Sequence, residues 1–221
     1  MRNKIITAAE AAAMVKDGSS VMVGGFMSVG TPEVIMDALV EKGVKDLTII
    51  ANDAGTGGEK PTGIGKLVSK RLVKKLIVSH IGLNKDVAAL MHDNLIEVQL
   101  TPQGTLAEQI RAGGAGLGGV LTPTGVGTEV AEGKEVLNLN GKDFLLEMPL
   151  KADVALLRGS IVDKAGNVYY HETTRNFNPM MATAAETVIV AAEKIVEIGE
   201  IDPNYVMTPN IFVDYIVGGE Y

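Results

Sequence analysis

Residues 17–32 of this chain read DGSSVMVGGFMSVGTP, and this stretch decides the fold class. Val21-Met22-Val23 is a continuous apolar run, which is typical of a strand buried on both faces of a parallel sheet. The run ends in Gly24-Gly25, and a short loop leads to Thr31-Pro32, where a threonine cap and a proline in the first turn predict the start of a helix. The stretch therefore predicts a buried strand, a glycine-rich loop and a helix in succession.

The same alternation extends through the first half of the chain. A capping box at Thr7 and Glu10 predicts a helix to about Lys16, and Gly43 predicts the end of the helix that follows Pro32. Strands and helices at this spacing predict βαβ units and a parallel sheet with right-handed crossovers. Further predicted strands are 47–51, 76–79 and 96–100, and further predicted helices are 63–70, 85–94 and 106–112.

From Gly113 onward the sequence is richer in turns and β structure. We predict a loop over 113–127, a hairpin over 136–146 around Asn140-Gly141, strands at 155–162, 168–170, 187–192 and 212–217, and a helix start at 176–179. The expected fold class is α/β, with an open, mainly parallel sheet flanked by helices and a more β-rich second half. With neither a linker nor a repeat in the sequence, we expect a single domain over residues 1–221.

Composition excludes several classes of protein and site. The chain of 221 residues contains no cysteine, which excludes disulfides, thiolate metal ligands and cysteine nucleophiles. A net charge of −7 argues against nucleic-acid binding, and no apolar stretch is long enough to span a membrane. Because the first residues do not resemble a secretory signal, we expect a cytoplasmic protein with no membrane association.

The Gly24–Gly30 loop is the best candidate for a ligand site. Glycine lets backbone approach a ligand closely, and a loop that opens a helix can present N–H groups to an anion or an oxyanion. The alternative is a tight connection that needs glycine only for its turn. The residues alone leave both interpretations open.

Two further strand ends carry polar residues that could join this site. Asn52-Asp53 follows one predicted strand, and Gln103 follows another, at the edge where ligands gather in open α/β sheets. The alternatives are an ordinary turn at Asn52-Asp53 and a neutral surface glutamine at position 103.

Other patterns do not support a site, and we do not expect Glu108, on a predicted helix, or Glu172, near a turn, to act as a nucleophile. Gly114, Gly116 and Gly119 fit GxGxxG, but they follow a predicted helix, whereas a dinucleotide fingerprint follows a strand. The histidines, His80, His92 and His171, lack the spacing of metal ligands, so we expect no metal site.

Residues 17–32 resemble the signature of the family I CoA-transferases at every fixed position of that motif. The runs LTIIANDAG, TGIGKL, VKKLIVSHIG, LTPQGTLAEQIRAGGAGLGGVLTPTGVGT, RNFNP, ETVIVAAE and MTPNIFVDYIV resemble alpha subunits of acetate/butyrate–acetoacetate CoA-transferases. The resemblance extends from about Lys4 to Gly218.

The resemblance implies ping-pong transfer of CoA between short-chain carboxylic acids, with acyl-CoA as a substrate and no permanently bound cofactor. The family's nucleophilic glutamate lies in a Ser-Glu-Asn-Gly motif of the beta subunit, and this chain lacks that tetrapeptide. The resemblance therefore implies that the chain is inactive alone and works in an αβ heterodimer or an α2β2 assembly.

The resemblance also assigns roles to particular residues. Gln103 matches a glutamine that contacts the oxyanion or the carboxylate, and Asn52 and Asp53 match polar residues that face the same pocket. The residues that match the CoA-binding segment are Gly24, Gly25, Phe26, Met27, Ser28, Val29 and Gly30. The alternatives of the same fold are a ligand-sensing domain, which would need a basic DNA-binding segment, and a sugar-phosphate isomerase, which would need its own acid–base pair.

Overall fold

Helices and strands alternate through the first half of the chain in the computed structural model, which describes residues 3–218. The strands are β1 (Ile5–Ile6), β2 (Ser20–Val23), β3 (Leu47–Asp53), β4 (Val73–His80), β5 (Glu97–Leu100), β6 (Val120–Thr122), β7 (Val136–Leu139), β8 (Lys142–Glu147), β9 (Ala152–Asp163), β10 (Val168–Tyr169), β11 (Ala185–Val196) and β12 (Tyr215–Gly218). The helices are α1 (Ala8–Met14), α2 (Glu33–Lys42), α3 (Ile64–Ser69), α4 (Lys85–His92), α5 (Gln103–Ala115) and α6 (Asn178–Met181).

The main sheet contains nine strands within residues 3–218. Eight of them follow the order β1-β12-β11-β9-β2-β3-β4-β5, and β10 pairs antiparallel with β9. Every neighbouring pair along that order is parallel. The expected open, mainly parallel sheet flanked by helices is therefore confirmed.

Strand β2 lies at the point where the order of strand addition reverses. From β2 the chain adds β3, β4 and β5 on one side, and it then returns to place β9 on the other side. In open α/β sheets such a switch point opens a crevice at the carboxyl ends of the two strands, and ligands bind there. The Gly24–Gly30 loop leaves β2 at this crevice.

The apolar side chains of β2 belong to two separate hydrophobic cores, one on each face of the sheet. Val21 and Val23 pack with α1 to α4 on one face of the sheet, whereas Met22 packs with α5 and α6 on the other. All three side chains are fully buried, and burying a large apolar side chain stabilises the fold by about 1.5–3 kcal/mol. A strand covered on both faces has no polar side to display, which explains the unbroken run.

A small antiparallel sheet, in the order β6-β8-β7, makes the second half richer in β structure, and β7 and β8 form the predicted hairpin.

The predicted loop over 113–127 is wrong in part, because α5 continues to Ala115 and β6 follows. A Cβ atom on Gly113 would lie 1.9 Å from the carbonyl oxygen of Leu150, and one on Gly114 would lie 2.0 Å from Thr183 Oγ1. These glycines therefore allow α5 to pack closely against Leu150 and Thr183. The helix continues through them because this packing outweighs the low helix propensity of glycine.

The predicted cap at Thr31 is also wrong. Helix α2 begins at Glu33 after Pro32, and no side chain caps it. Thr31 is buried instead, with its Oγ1 atom 2.0 Å from the place of a Cβ atom on Gly25. The capping box of α1 and the left-handed Gly43 at the end of α2 are confirmed.

Smaller differences concern element ends. The strand predicted over 212–217 begins only at Tyr215, because residues 210–212 form a short 3-10 helix. The last predicted helix begins at Asn178, with Pro179 in its first turn. Over residues 3–218, the helices are all too short or too polar to cross a lipid bilayer.

Candidate active site

The Gly24–Gly30 loop closes on itself as a tight two-residue turn. Phe26 and Val29 exchange two backbone hydrogen bonds, with N–O distances of 2.9 and 3.0 Å. Met27 and Ser28 between them have φ angles of 48° and 68°, a left-handed conformation that such turns usually give to asparagine or glycine. Non-glycine residues held in this way carry strain of about 1–3 kcal/mol each, so neighbouring groups must hold the turn.

Residues of the first half hold the tip of the loop. Asp53 is 6% exposed, and its carboxylate accepts hydrogen bonds from the backbone N–H of Met27 at 2.7 Å and of Gly55 at 2.9 Å. The hydroxyl of Ser28 lies 2.7 Å from that of Thr62. The strained turn is therefore anchored at both of its central residues.

Two asparagines from the second half hold the ends of the same loop. Asn176 accepts a hydrogen bond from the backbone N–H of Gly25 at 3.1 Å and donates one to the carbonyl oxygen of Val29 at 2.9 Å. Asn178 is fully buried and donates to the carbonyl oxygen of Gly30 at 3.0 Å. Reasoning from single residues missed both asparagines, and the run RNFNP was the one signal that could have indicated them.

Two backbone amides of the loop lack a protein acceptor, one at the half-buried Ser28 and one at the buried Gly30. Of the seven N–H groups from Gly24 to Gly30, five donate to protein atoms. The N–H groups of Ser28 and Gly30 donate to no atom in the described part of the chain. This arrangement favours the ligand-binding interpretation over a connection that needs glycine only for its turn.

Gln103 and Asn52 meet beside this loop. Gln103 is the first residue of α5 and is exposed, and its Nε2 atom donates to Asn52 Oδ1 at 2.6 Å. Asn52 is 2% exposed at the end of β3, and its backbone carbonyl accepts from Ser79 Oγ at 2.7 Å. The side chain of Gln103 is therefore accessible to a ligand and fixed at its nitrogen end.

Asn52 and Asp53 lie behind Gln103 and the loop. The polar side-chain atoms of both residues bond to protein groups, and both side chains are buried. That they line a substrate pocket directly stays a prediction.

Two carboxylates next to the loop share one lysine. Glu33 accepts from the backbone N–H of Gly63 at 2.8 Å and pairs with Lys66 at 2.7 Å, and Lys66 also pairs with Asp37 at 2.6 Å. Burial lowers the pKa of Lys66, but the hydrogen bonds to Asp37 and Glu33 outweigh it and raise the pKa above its ordinary value. This lysine is therefore already paired with two carboxylates.

The structure also places the residues of the other sequence patterns. Gly114 lies within α5, which is consistent with rejecting a dinucleotide fingerprint. No group of three or more metal-ligating side chains occurs among the residues that the structure describes. Glu172 is exposed beside His171, at 3.6 Å, and Glu108 pairs with Arg111 at 2.7 Å.

A family model and relatives among known proteins match nearly the whole of the chain. Residues 5–219 match the family model described as Coenzyme A transferase. Over 217 residues, the chain is 52% identical to the acetoacetyl-CoA:acetate/butyrate CoA transferase alpha subunit of Clostridium acetobutylicum, covering 98% of each chain. It is 49% identical to the acetate CoA-transferase subunit alpha of Escherichia coli, covering 98% of this chain and 97% of that one.

Solved structures share the fold at lower identity. The acyl-CoA transferase YdiF of E. coli O157:H7, in a thioester complex with CoA, matches with a TM-score of 0.85 and 22% identity. The match covers 99% of this chain and 47% of YdiF, so the chain spans about half of that protein. Glutaconate coenzyme A-transferase of Acidaminococcus fermentans matches with a TM-score of 0.85 and 20% identity, covering 99% of this chain and 76% of that one.

Proposed function

The chain belongs to the coenzyme A transferase family, and from this premise we propose that it is the alpha subunit of a short-chain acyl-CoA:carboxylate CoA-transferase. The proposed reaction exchanges CoA between acetyl- or butyryl-CoA and acetoacetate, or between acetoacetyl-CoA and acetate or butyrate. The names of the relatives at 52% and 49% identity support these substrates. The proposal includes a single domain over residues 1–221, of which 3–218 are described, and a cytoplasmic location.

The observation that carries the proposal is the hydrogen-bonded connection between the Gly24–Gly30 loop and Gln103, which runs through Asp53 and Asn52. The loop offers the N–H groups of Ser28 and Gly30, and Gln103 offers a side-chain amide that is anchored on one side. Hydrogen-bond donors held in place before the reaction are what a developing oxyanion needs. We assign the loop to CoA binding and Gln103 to the acyl carbonyl or carboxylate.

The nucleophile of the proposed reaction is a glutamate of a beta subunit that carries Ser-Glu-Asn-Gly. Its carboxylate attacks the thioester carbonyl, the C–S bond breaks, and a mixed anhydride and CoA thiolate result. The thiolate then attacks the glutamyl carbonyl, which releases the first carboxylate and leaves a glutamyl-CoA thioester. An incoming carboxylate reverses these steps and leaves as the new acyl-CoA, so no external oxidant or proton source is consumed.

Gln103 has a defined part in these steps. One hydrogen of its Nε2 atom bonds to Asn52, and the other is the donor that we assign to the oxyanion. The loss of one such donor typically costs about 3 kcal/mol of transition-state stabilisation. Asn52 and Asp53 complete the proposed site beside it.

The test is a thioester-exchange assay with butyryl-CoA or acetyl-CoA and acetoacetate. We expect no turnover by the chain alone and turnover by the chain co-expressed with its Ser-Glu-Asn-Gly partner. In that pair, Gln103→Ala should lower kcat by about 100-fold, whereas Gln99→Ala, an exposed glutamine on β5, should leave kcat unchanged.

Other results would change the proposal. Turnover by the chain alone would place the nucleophile here, with Glu172 the first residue to replace. A stable complex without turnover would contradict the short-chain substrates. Failure to form any complex would favour the ligand-sensing alternative. The mass of the active complex distinguishes αβ from α2β2.

A further inference from the structure

A continuous series of hydrogen bonds joins the tip of the loop to Gln103. Asp53 Oδ2 accepts from the backbone N–H of Met27 at 2.7 Å and from Asn52 Nδ2 at 2.8 Å. Asn52 Oδ1 in turn accepts from Gln103 Nε2 at 2.6 Å. Asn52 and Asp53 are 2% and 6% exposed, so water does not compete for the bond between their side chains.

The carboxylate of Asp53 determines which atom donates and which accepts in each of these hydrogen bonds. An ionised carboxylate only accepts hydrogen bonds, so Asn52 must turn its nitrogen towards Asp53 and its oxygen towards Gln103. Gln103 must then present its own nitrogen to Asn52. A side-chain amide has nearly the same shape either way round, so shape alone would not choose between the two orientations.

We propose that Asp53 is a positioning residue that acts through Asn52 to decide which end of the Gln103 amide is held and which hydrogen is left for the substrate. The proposal rests on the proposed function of Gln103. Both carboxylate oxygens of Asp53 already accept protein hydrogen bonds, so this role requires no contact between Asp53 and the substrate. A donor that is oriented before the substrate binds avoids reorganisation during the reaction, and this is the advantage of the buried carboxylate.

An asparagine at position 53 would remove this direction while keeping the shape. Its oxygen could face Met27 and Asn52 as the carboxylate does, with its NH2 group opposed to the N–H of Gly55. In the opposite orientation its NH2 group faces Asn52, and the amides of Asn52 and Gln103 both turn over. Each orientation sets the NH2 group of the new asparagine against one backbone N–H donor, that of Gly55 in the first and that of Met27 in the second. We therefore expect the variant to populate both orientations.

The chain offers a matched control at Asp163. This aspartate is likewise buried, at 2% exposed, and accepts hydrogen bonds from the backbone N–H groups of Ala165, Gly166 and Asn167 and from the side chain of Asn167. It lies at the turn between β9 and β10. Asp163→Asn therefore measures what the loss of a buried, hydrogen-bonded carboxylate does to folding without the connection to Gln103.

The kinetic test uses the complex with the partner subunit and compares Asp53→Asn, Gln103→Ala, the double variant and Asp163→Asn. We expect Asp53→Asn to lower kcat by about 10- to 100-fold, the range known for residues that orient others in metal sites. With Gln103 already replaced, Asp53→Asn should lower kcat by no more than about threefold, because residues in one network do not act additively. Asp163→Asn should leave kcat within about twofold of wild type.

A spectroscopic test does not depend on turnover. The chain contains three glutamines, at positions 99, 103 and 109, so labelling this chain alone with 15N-glutamine, before assembly with the unlabelled partner, gives three side-chain NH2 pairs in the complex. Gln103→Ala assigns one pair by its disappearance. In Asp53→Asn we expect this pair to shift or split while the other two stay in place, and in Asp163→Asn we expect all three to stay.

These results separate the positioning role from the proposed function. The positioning role would be overturned if Asp53→Asn lowered kcat by the same factor in the wild type and in Gln103→Ala. It would also be overturned if the Gln103 signal did not move in Asp53→Asn. A wild-type complex without exchange, in which the Gln103 signal still moves in Asp53→Asn, would overturn the proposed function and support the positioning of this amide.

Discussion

The Oδ1 atom of Asn178 lies 1.8 Å from the position that a Cβ atom on Gly24 would occupy. Asn178 is fully buried, accepts from the backbone N–H of Arg158 at 3.1 Å and donates to the carbonyl oxygen of Gly30. It therefore cannot move aside without breaking these bonds. Gly24 is required here by the close approach of two segments that lie far apart in sequence.

The first prediction is that Gly24→Ala destabilises the chain by about 1–3 kcal/mol, because an added methyl group overpacks a filled site. The loop must also shift, so we expect thioester exchange by the complex to fall. Urea unfolding and the exchange assay measure the two effects. Gly118→Ala is the control, since no atom lies within 4 Å of its Cβ position, and equal stability of the two variants would show that Asn178 relaxes freely.

The second prediction concerns the contact of Asn176 with both ends of the loop. Asn176→Ala removes its bonds to Gly25 and Val29, which leaves the strained turn less restrained. We expect the KM for acyl-CoA to rise about tenfold, corresponding to about 1.4 kcal/mol of lost binding. Steady-state kinetics of the complex measure this change.

Asn138→Ala is the matched control for that variant. Asn138 also makes turn hydrogen bonds, to the backbone N–H of Gly141 at 3.1 Å and to Asp143 at 2.7 Å, but it lies in the small sheet. Its replacement should leave the KM unchanged. A KM that rises equally in both variants would indicate general loosening of the fold.

The sequence predicted the order of elements well, because each signal is local. The apolar run of β2, the capping box at Thr7 and Glu10, and the left-handed Gly43 each depend on residues within one element. The errors arose where a distant contact decides the conformation. Gly113 and Gly114 suggested a loop, but they are glycine because Leu150 and Thr183 leave no room for a side chain, and the helix continues through them.

In the candidate site, too, the parts that depend on local signals could be predicted and those that depend on distant contacts could not. The Gly24–Gly30 loop and Gln103 follow strands directly, so their common edge of a parallel sheet could be predicted. Asn176 could not, because it lies 151 residues from Gly25 and reaches it only because β9 pairs with β2. A pattern read along the chain does not state which strands become neighbours.

The third prediction concerns the buried Tyr170. Burial raises the pKa of its hydroxyl above the ordinary value, although the hydrogen bond to Thr208 at 2.9 Å opposes the shift. The folded state therefore keeps a proton that the unfolded state loses above about pH 10. The contribution to stability is complete below that pH and falls by about 1.4 kcal/mol per pH unit above it.

Tyr170→Phe should remove this alkaline loss and lower stability at neutral pH by about 1 kcal/mol, because Thr208 loses its partner. Urea unfolding from pH 8 to pH 11 gives both quantities. Tyr205→Phe, at a tyrosine that is 58% exposed, should retain the alkaline loss of the wild type. An unchanged slope in Tyr170→Phe would assign the loss to other groups.

The fourth prediction concerns the buried carboxylate of Glu147, which fastens the small sheet to α5. Glu147 is 2% exposed, pairs with Lys134 at 2.6 Å and accepts from Gln109 Nε2 at 3.0 Å. Lys134→Met leaves this charge without its cation, so we expect a loss of about 3 kcal/mol in the free energy of unfolding. Lys75→Met, which breaks the more exposed pair with Glu97, should cost no more than about 1 kcal/mol.

The double variant Lys134→Met/Glu147→Gln distinguishes the two parts of that loss. Because no buried charge is left without a partner, it should be more stable than Lys134→Met alone, even though it lacks one more native group. Urea unfolding of the three variants decides this. If the double variant is the least stable, the hydrogen bond from Gln109 to an ionised carboxylate contributes more to fastening the small sheet than the ion pair does.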